Sequence, residues 1–438
     1  MTREELIRAI DRRRLRRAHD GGRSWLVLAL VAGPGILAML GENDGPSMLS
    51  YATTGATYGV GFFVPFILAT FAMAYVVQEA TIRIGIATGR GHAELINRHF
   101  GRFWGRFAIA DLLIGNLLTL ITEFVAIRAG AAYFGIPPAA AVSIGVLLVA
   151  LALTARRYLS WERAVMALAC GNLLFIPAAL FAHPDGAALA HALGTWGPLP
   201  GGPTLGFWTL VLADVGATVT PWMIFFQQSA VVDKGLSANE LPAARIDTAA
   251  GALIAATVGI AATVAAAQLF AHHVPVSSLQ TAADFALALK PYLGNAGAAL
   301  FALGMIEAGL VAAMTISTSS AYTGGEVLGR GHSLNTEIVE GAPFRSIALV
   351  SVATAALVVL IPGAPLLALT LTVNVIATLL MAPALLFVLL LANDRSIMGD
   401  LVNGWRSNAF GGATIVVVST LGAFYGIAVA VPTIMGVG

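Results

Sequence analysis

Two carboxylates stand beside a Gly-Pro pair in the middle of an apolar run. Glu42 and Asp44 belong to Gly41-Glu42-Asn43-Asp44-Gly45-Pro46-Ser47, which interrupts a hydrophobic stretch from Trp25 to about Tyr58. A second stretch, Leu205 to about Val232, is interrupted at Gly216-Ala217-Thr218-Val219-Thr220-Pro221. Charges and helix-breaking residues are costly in hydrocarbon and are tolerated only where the opened backbone lines a cavity. Two positions apart, Glu42 and Asp44 would point to different faces of a regular helix. On unwound backbone both can converge on one ion. Carboxylates with freed carbonyls suit a hard divalent cation such as magnesium, calcium or manganese. Pro221 has no N–H to donate and frees a carbonyl upstream, near Ala217 or Thr218, while Thr220 adds a hydroxyl. The same residues leave a second reading open, a boundary turn with both acids in water.

Other polar residues in apolar runs extend this set. Trp222 is bulky enough to close a site, or is a packed indole. Gln227 and Gln228 serve a transport path or hydrogen-bond a neighbouring helix. Among the acids Asp111, Glu123, Asp214 and Glu307, Glu123 is the most central and is expected near the site or an aqueous path. Asp111 and Asp214 are expected nearer the interfaces, in solvated or capping roles. Glu307 precedes a small, polar run, Ala308 to Ser320, of the kind found on a close-packed or pore-lining helix face. Asn374, an isolated amide in Leu369–Leu380, is either a further ligand or a helix–helix hydrogen bond. All eight histidines fall outside the apolar runs or at their ends, so no imidazole relay is expected within the bilayer. Soft sulfur is absent from the Thr220 position, although Met223 is near it.

These residues need helices to hold them, and composition says what kind. Of the 438 residues 58% are hydrophobic and 11% charged, with mean hydropathy +0.84. Soluble domains carry about 25% charged residues, so the chain is expected to be an all-α polytopic membrane protein. A net charge of +1 argues against a nucleic-acid partner. The single cysteine, Cys170, excludes an internal disulfide, and no Cys/His cluster suggests structural zinc. A spanning helix takes about 20 apolar residues. Eleven candidates lie near 25–52, 54–82, 107–134, 138–155, 161–182, 205–232, 246–271, 294–324, 345–362, 365–392 and 412–433. Residues 1–22 read as a cytosolic amphipathic segment whose Leu6, Ile7, Ile10 and Leu15 can lie on the membrane surface.

Charge placement supports this count. Lys and Arg collect in alternate loops, at Arg83, Arg90, Arg98, Arg102 and Arg106, then Arg156, Arg157 and Arg163, then Lys234 and Arg245, then Arg330 and Arg345, then Arg395 and Arg406. Only Arg128 and Lys290 fall on the other side. The positive-inside rule then puts the N-terminus inside and the C-terminus outside. Residues 23–203 form a first unit of five spans, 204–393 a second of opposite orientation, and 394–438 a loop and an eleventh span. The two interruptions fall in the first helix of each unit. Such paired broken helices point to the midplane site of a secondary transporter.

At these residues the chain resembles the Nramp family of divalent-metal transporters, which have the LeuT fold, over nearly its whole length. Gly33-Pro34-Gly35 looks like the start of that family's first helix, and Asp44-Gly45-Pro46-Ser47 occupies the place of its Asp-Pro-Gly-Asn motif. Gln78 to Gly89 is similar to the end of its second helix, Gly216 to Trp222 to its Met-Pro-His region, and Met314–Leu328 to its eighth helix. The resemblance implies a metal-binding aspartate at Asp44 and a carbonyl donor at Ala217. It puts Ser47 where the family has asparagine, Thr220 where it has methionine, Gln227 where it has a later histidine, and Leu120 where it has a relay aspartate. Glu123 keeps the family's neighbouring glutamate. The run Thr220 to Ser229, then Val231-Val232-Asp233-Lys234, is similar to the Nramp-related magnesium transporter branch, with Glu42 in place of that branch's second aspartate.

The resulting expectation is an inner-membrane carrier that admits Mg2+ and also Mn2+ by alternating access without obligatory proton coupling. Its site is Glu42, Asp44, Ser47, Ala217 and Thr220, with Gly45, Trp222, Gln227, Glu123 and Asn374 lining the site or pathway. Small residues at Gly45, Ser47 and Ala217 are expected to leave room for a partly hydrated ion. The partners are a small inorganic cation and the bilayer, the carrier acts as a monomer, and no resident cofactor is needed beyond the transported ion. The alternatives are a proton-coupled Mn2+/Fe2+ carrier of ordinary Nramp type and an amino-acid or organic-cation carrier of the same fold. No Ser/His pairing and no HExxH motif supports an enzyme.

Overall fold

The structure, a computed structural model, describes residues 3–197, 199–279, 281–329, 333–363 and 366–430. Arg330 lies outside the described residues. The helices are α1 (Arg3–Asp20), α2 (Ser24–Val31), α3 (Pro34–Leu40), α4 (Gly45–Tyr58), α5 (Phe63–Thr88), α6 (His92–His99), α7 (Arg102–Tyr133), α8 (Pro138–Leu153), α9 (Tyr158–Ala169), α10 (Phe175–Phe181), α11 (Gly186–Thr195), α12 (Leu205–Gly216), α13 (Pro221–Lys234), α14 (Leu241–Ala271), α15 (Ala282–Leu328), α16 (Ala342–Val359), α17 (Leu366–Asn393), α18 (Arg395–Met398) and α19 (Trp405–Ala430). Among the described residues nine helical segments are long and apolar enough to cross a bilayer. The pieces α2–α4 and the shorter α8 supply the other two of eleven spans.

The expected interruptions are real breaks. The first span is α3 and α4 separated at Gly41–Asp44, and the sixth is α12 and α13 separated at Ala217–Thr220. Each second half begins with proline in its first turn, where the missing N–H costs nothing. Packing follows the two-fold logic of an inverted repeat. Half-helix α3 packs on α13 and α4 packs on α12. The second span of one unit packs on the first of the other, α14 against α4 and α5 against α13. The most extensive pairing joins α7 and α15, the third and eighth spans.

Three boundaries differ from expectation. The first span runs on to Tyr58 and the second starts at Phe63, because Gly59 (φ 71°) turns the chain there and nothing at 53–54 breaks it. A further break precedes α3, where Gly33 adopts φ 147° and its N–H binds the Asp247 carboxylate at 2.9 Å. The long α15 is two helices joined at a kink at Gly294 (φ 70°), so a separate helix leads into the eighth span.

The cationic loops meet on one face. Arg83 at the end of the second span donates to Leu401 O and Asn403 before the last span. Arg345 donates to Leu153 O at the end of α8, and Arg157 pairs with Asp11 at 2.9 Å. On the opposite face Arg128 donates to Val359 O at the end of α16. This is the alternation read from the loops, now in three dimensions. Two details are corrected. Lys234 is not a solvated loop charge; it is 6% exposed and paired with Glu162 at 2.8 Å. Helix α1 does not lie on the bilayer by its whole apolar stripe, because Ile7 and Leu15 are buried against the protein while Leu6 and Ile10 remain exposed.

Candidate cation site

Both breaks come together in the interior. Unwinding leaves Asp44 extended (φ −79°, ψ 177°), so its carboxylate caps α4 by accepting from Ser47 N at 2.8 Å. The preceding turn aims Glu42 across to the other break, where Glu42 Oε2 accepts from Thr220 Oγ1 at 2.9 Å. Glu123, from the middle of α7, accepts from Gly45 N at 2.9 Å, which places it beside the residue that follows Asp44. Glu42 and Glu123 are fully buried and Asp44 is 1% exposed, which rules out the boundary turn in water.

The neutral donors are arranged around these acids. Tyr51, two turns into α4, donates to Ala217 O at 3.0 Å and contacts Thr218 Oγ1 at 3.1 Å. The Ala217 carbonyl is thus at the junction of the two breaks, with one lone pair engaged by Tyr51. Thr218 Oγ1 in turn donates to Asp214 O. Asp214 departs from expectation. It is fully buried and accepts from Ser50 Oγ at 2.6 Å and Thr54 Oγ1 at 3.1 Å, so it ties α4 to α12 and is not solvated. Asn43, which carries no signal in the sequence, anchors the first break to α14 through Ala255 O.

Several polar atoms here are buried without a partner, namely Glu42 Oε1, Glu123 Oε1 and Ser47 Oγ. Buried oxygens of this kind are rare and expensive, and all three are lone-pair donors of the type a hard cation takes. Among the described residues no three His, Cys, Asp or Glu side chains are disposed to hold an ion by themselves. An ion bound here therefore takes part of its shell from hydroxyls, carbonyls or retained water.

The lining residues divide. Trp222 is buried, and its ring lies 2.9 Å from where a Cβ on Gly41 would be, so it packs directly over the first break. Asn374 is buried beside the second, with its backbone oxygen pressed against Gly216 where a Cβ would stand and its amide nitrogen unpartnered. Gln227 binds Thr248 on α14 at 2.8 Å, and Gln228 binds His92 and Arg90 O, so both tie helices together. Gly45 does not leave room for a hydrated ion. A Cβ there would collide with Ala126 Cβ, so its missing side chain admits α7 and brings Glu123 to the break. Glu307 is held by Asn172 on the fifth span, apart from these contacts, and Asp111 is partly exposed. Tyr51 and the role of Asp214 are missed by sequence reasoning. The available signal was spacing, since Asp214 lies one turn before Ala217–Thr218 on the same helix.

Comparison with known proteins now decides the family. The family model "Natural resistance-associated macrophage protein-like" matches residues 35–428. The chain belongs to the Nramp family. It is 28% identical over 407 residues to the divalent metal cation transporter MntH of Pectobacterium carotovorum subsp. carotovorum (strain PC1), covering 90% of this chain and 93% of that protein. The crystal structure of the Eremococcus coleocola manganese transporter, with an aromatic bis-isothiourea compound, superposes with TM-score 0.77 at 19% identity, covering 92% of this chain and 87% of that one. A Na+-coupled sialic acid symporter superposes with TM-score 0.56 at 12% identity over 89% of this chain and 88% of that one. The fold is thus the LeuT-like arrangement of eleven spans.

Proposed function

We propose that this Nramp-family chain is a divalent-cation transporter of the inner membrane, moving Mg2+ and also Mn2+ by alternating access, with its N-terminus in the cytoplasm and a single chain as the working unit. The observation that carries the reading is the meeting of Glu42, Asp44 and Glu123 at two broken helices, with Glu42 Oε1, Glu123 Oε1 and Ser47 Oγ buried and unpartnered. In this mechanism Glu42 and Asp44 supply charge, and Ser47, Thr220 and the Ala217 carbonyl supply neutral oxygens. The Glu42–Thr220 and Tyr51–Ala217 bonds tie the two breaks to each other. An entering ion takes over oxygens those bonds now hold. With no sulfur at position 220, the site favours hard ions, and magnesium's reluctance to dehydrate is met by retained water. A unit charge moved through 100 mV is worth about 2.3 kcal/mol, so the membrane potential alone drives a divalent ion inward.

One observation favours a second reading. Glu123 and Asp44 are both buried and adjoin through Gly45, whose N–H Glu123 accepts, so two carboxyl groups stand beside the first break. That supplies a titratable group at the site without any histidine, as a proton-coupled Mn2+/Fe2+ carrier would need. Proteoliposomes loaded with a magnesium dye and a pH dye separate the two. Magnesium entry without acidification supports the uncoupled carrier, and acidification in fixed ratio to metal entry establishes the coupled one. The absence of flux for any divalent ion overturns both.

A further inference from the structure

A cavity of about 650 Å3 opens between α5, α14, α17 and α19 on the face that carries the cationic loops. Its two ends differ in chemistry. One is lined by Arg83, Arg245 and Arg406 against a single carboxylate, Glu79. The other is apolar, walled by Leu385, Val388, Phe410 and Ile415. Arg83 is engaged through all three of its nitrogens by Glu79, Leu401 O and Asn403. Arg245 spends its Nε and one Nη on the same Glu79 oxygen, while its side chain stays 43% exposed. Arg406 is exposed, lies 5.5 Å over the Trp405 ring, and forms no ion pair among the described residues. The polar end therefore has an excess of positive charge, in a chain whose net charge is only +1. Trp405, 76% exposed at the start of α19, marks the depth of the membrane interface.

We propose that this cavity binds an anionic phospholipid of the surrounding leaflet, with its phosphate between Arg245 and Arg406 and its acyl chains along α17 and α19. A free phosphate would satisfy the arginines and leave the apolar wall unused, and a zwitterionic lipid would bring its own cation to a basic mouth. Basic pockets between membrane helices on the positive-inside face select anionic headgroups in this way. The inference is independent of which ion the carrier moves.

Native mass spectrometry of the full chain, released from detergent with equal phosphatidylglycerol and phosphatidylcholine of matched chains, tests it. Two arginines predict about a thirtyfold preference for the anionic lipid. Arg406→Gln, at an exposed position, is expected to reduce the preference to about fivefold, and Arg406→Lys to retain most of it. Gly411→Phe fills the apolar end without altering charge, since a Cβ there meets only Leu389 at 3.5 Å; it is expected to lower retention of the anionic lipid. Equal retention of both lipids overturns the proposal. So does a preference untouched by Arg406→Gln and Gly411→Phe together, or displacement of the bound lipid by glycerol phosphate at concentrations comparable to the lipid's own.

Discussion

At the residue scale the two acids of the first break have different neighbours and different expected losses. Asp44 caps α4 as well as facing the site, so Asp44→Ala removes a cap worth about 1 kcal/mol along with the charge. Asp44→Asn keeps an oxygen for Ser47 N and deletes only the charge. It should weaken divalent binding by about a hundredfold in calorimetry, in line with losing a charged ligand oxygen, while the melting temperature changes little. Unchanged affinity removes Asp44 from the shell. His92 offers a titration outside the spans. Its ring is buried against Phe225, with Nδ1 on Gln228 and Nε2 unpartnered, and burial pushes its pKa down to about 4. The ordinary value is 6.5, so the unfolded chain takes up a proton first as pH falls. The folded state keeps its full stability above about pH 6.5 and loses up to about 3 kcal/mol between there and pH 4. His92→Gln should flatten that window in melting curves of the purified protein. An equally steep loss in the variant excludes His92 as its source.

At the element scale, what positions the site is close approach. Gly45 admits Ala126 of α7, and Gly55 admits the Thr263 carbonyl of α14 into the space a side chain would fill. Neither spot is open, so a methyl must push a spanning helix aside. Gly45→Ala is expected to separate Glu123 from the break, cut the initial transport rate at least about tenfold and destabilise the fold by about 1–3 kcal/mol; wild-type flux in reconstituted vesicles contradicts the packing role. The breaks themselves are legible in the sequence, because Gly-Pro and carboxylates in an apolar run are too costly to stand anywhere but at an opened helix. Their partners are not. Thr220 joins Glu42 across 178 residues, and Tyr51 joins Ala217 across 166; no local pattern encodes such pairs. Gly45 misleads for a related reason, since a glycine's missing side chain gives no sign of which neighbour fills the space. Gln227, by contrast, can be read as a helix–helix bond from its place on an apolar face, and it makes one.

At the scale of the whole molecule, the face with the cationic loops is closed by charges that local sequence does not pair. Asp233 gathers Tyr322, Ser333, Leu334 N and Asn335, with Arg8 of α1 at 3.7 Å. Lys234, the next residue, binds Glu162 and Ala32 O, and Asp247 holds the Gly33 and Gly35 amides. Positive-inside counting locates this face, because it needs only the position of each Arg and Lys. It cannot separate a solvated cation from a buried one, which is why Lys234 reads as a loop charge. These ties join α1, the α2–α3 junction at the start of the first span, α9, α14, α15 and the end of α13, the elements that must part if an ion is to leave on this side. Ion pairs open to solvent on one side are worth about 1 kcal/mol each, and α1 contributes Asp11–Arg157 and Arg8–Asp233 together with a His19–Glu240 hydrogen bond. Deleting residues 1–22 should therefore shift the carrier toward the state open on this face without unfolding it. In a Cys170→Ser background, a cysteine at the buried Ser229 reports that opening through its rate of maleimide labelling from the same side. The truncated chain should label about fivefold faster, the ratio expected from about 1 kcal/mol of lost closing energy. If labelling is no faster while transport persists, α1 lies on the closed face without holding it shut, and the closure rests on Asp233, Lys234 and Asp247 alone.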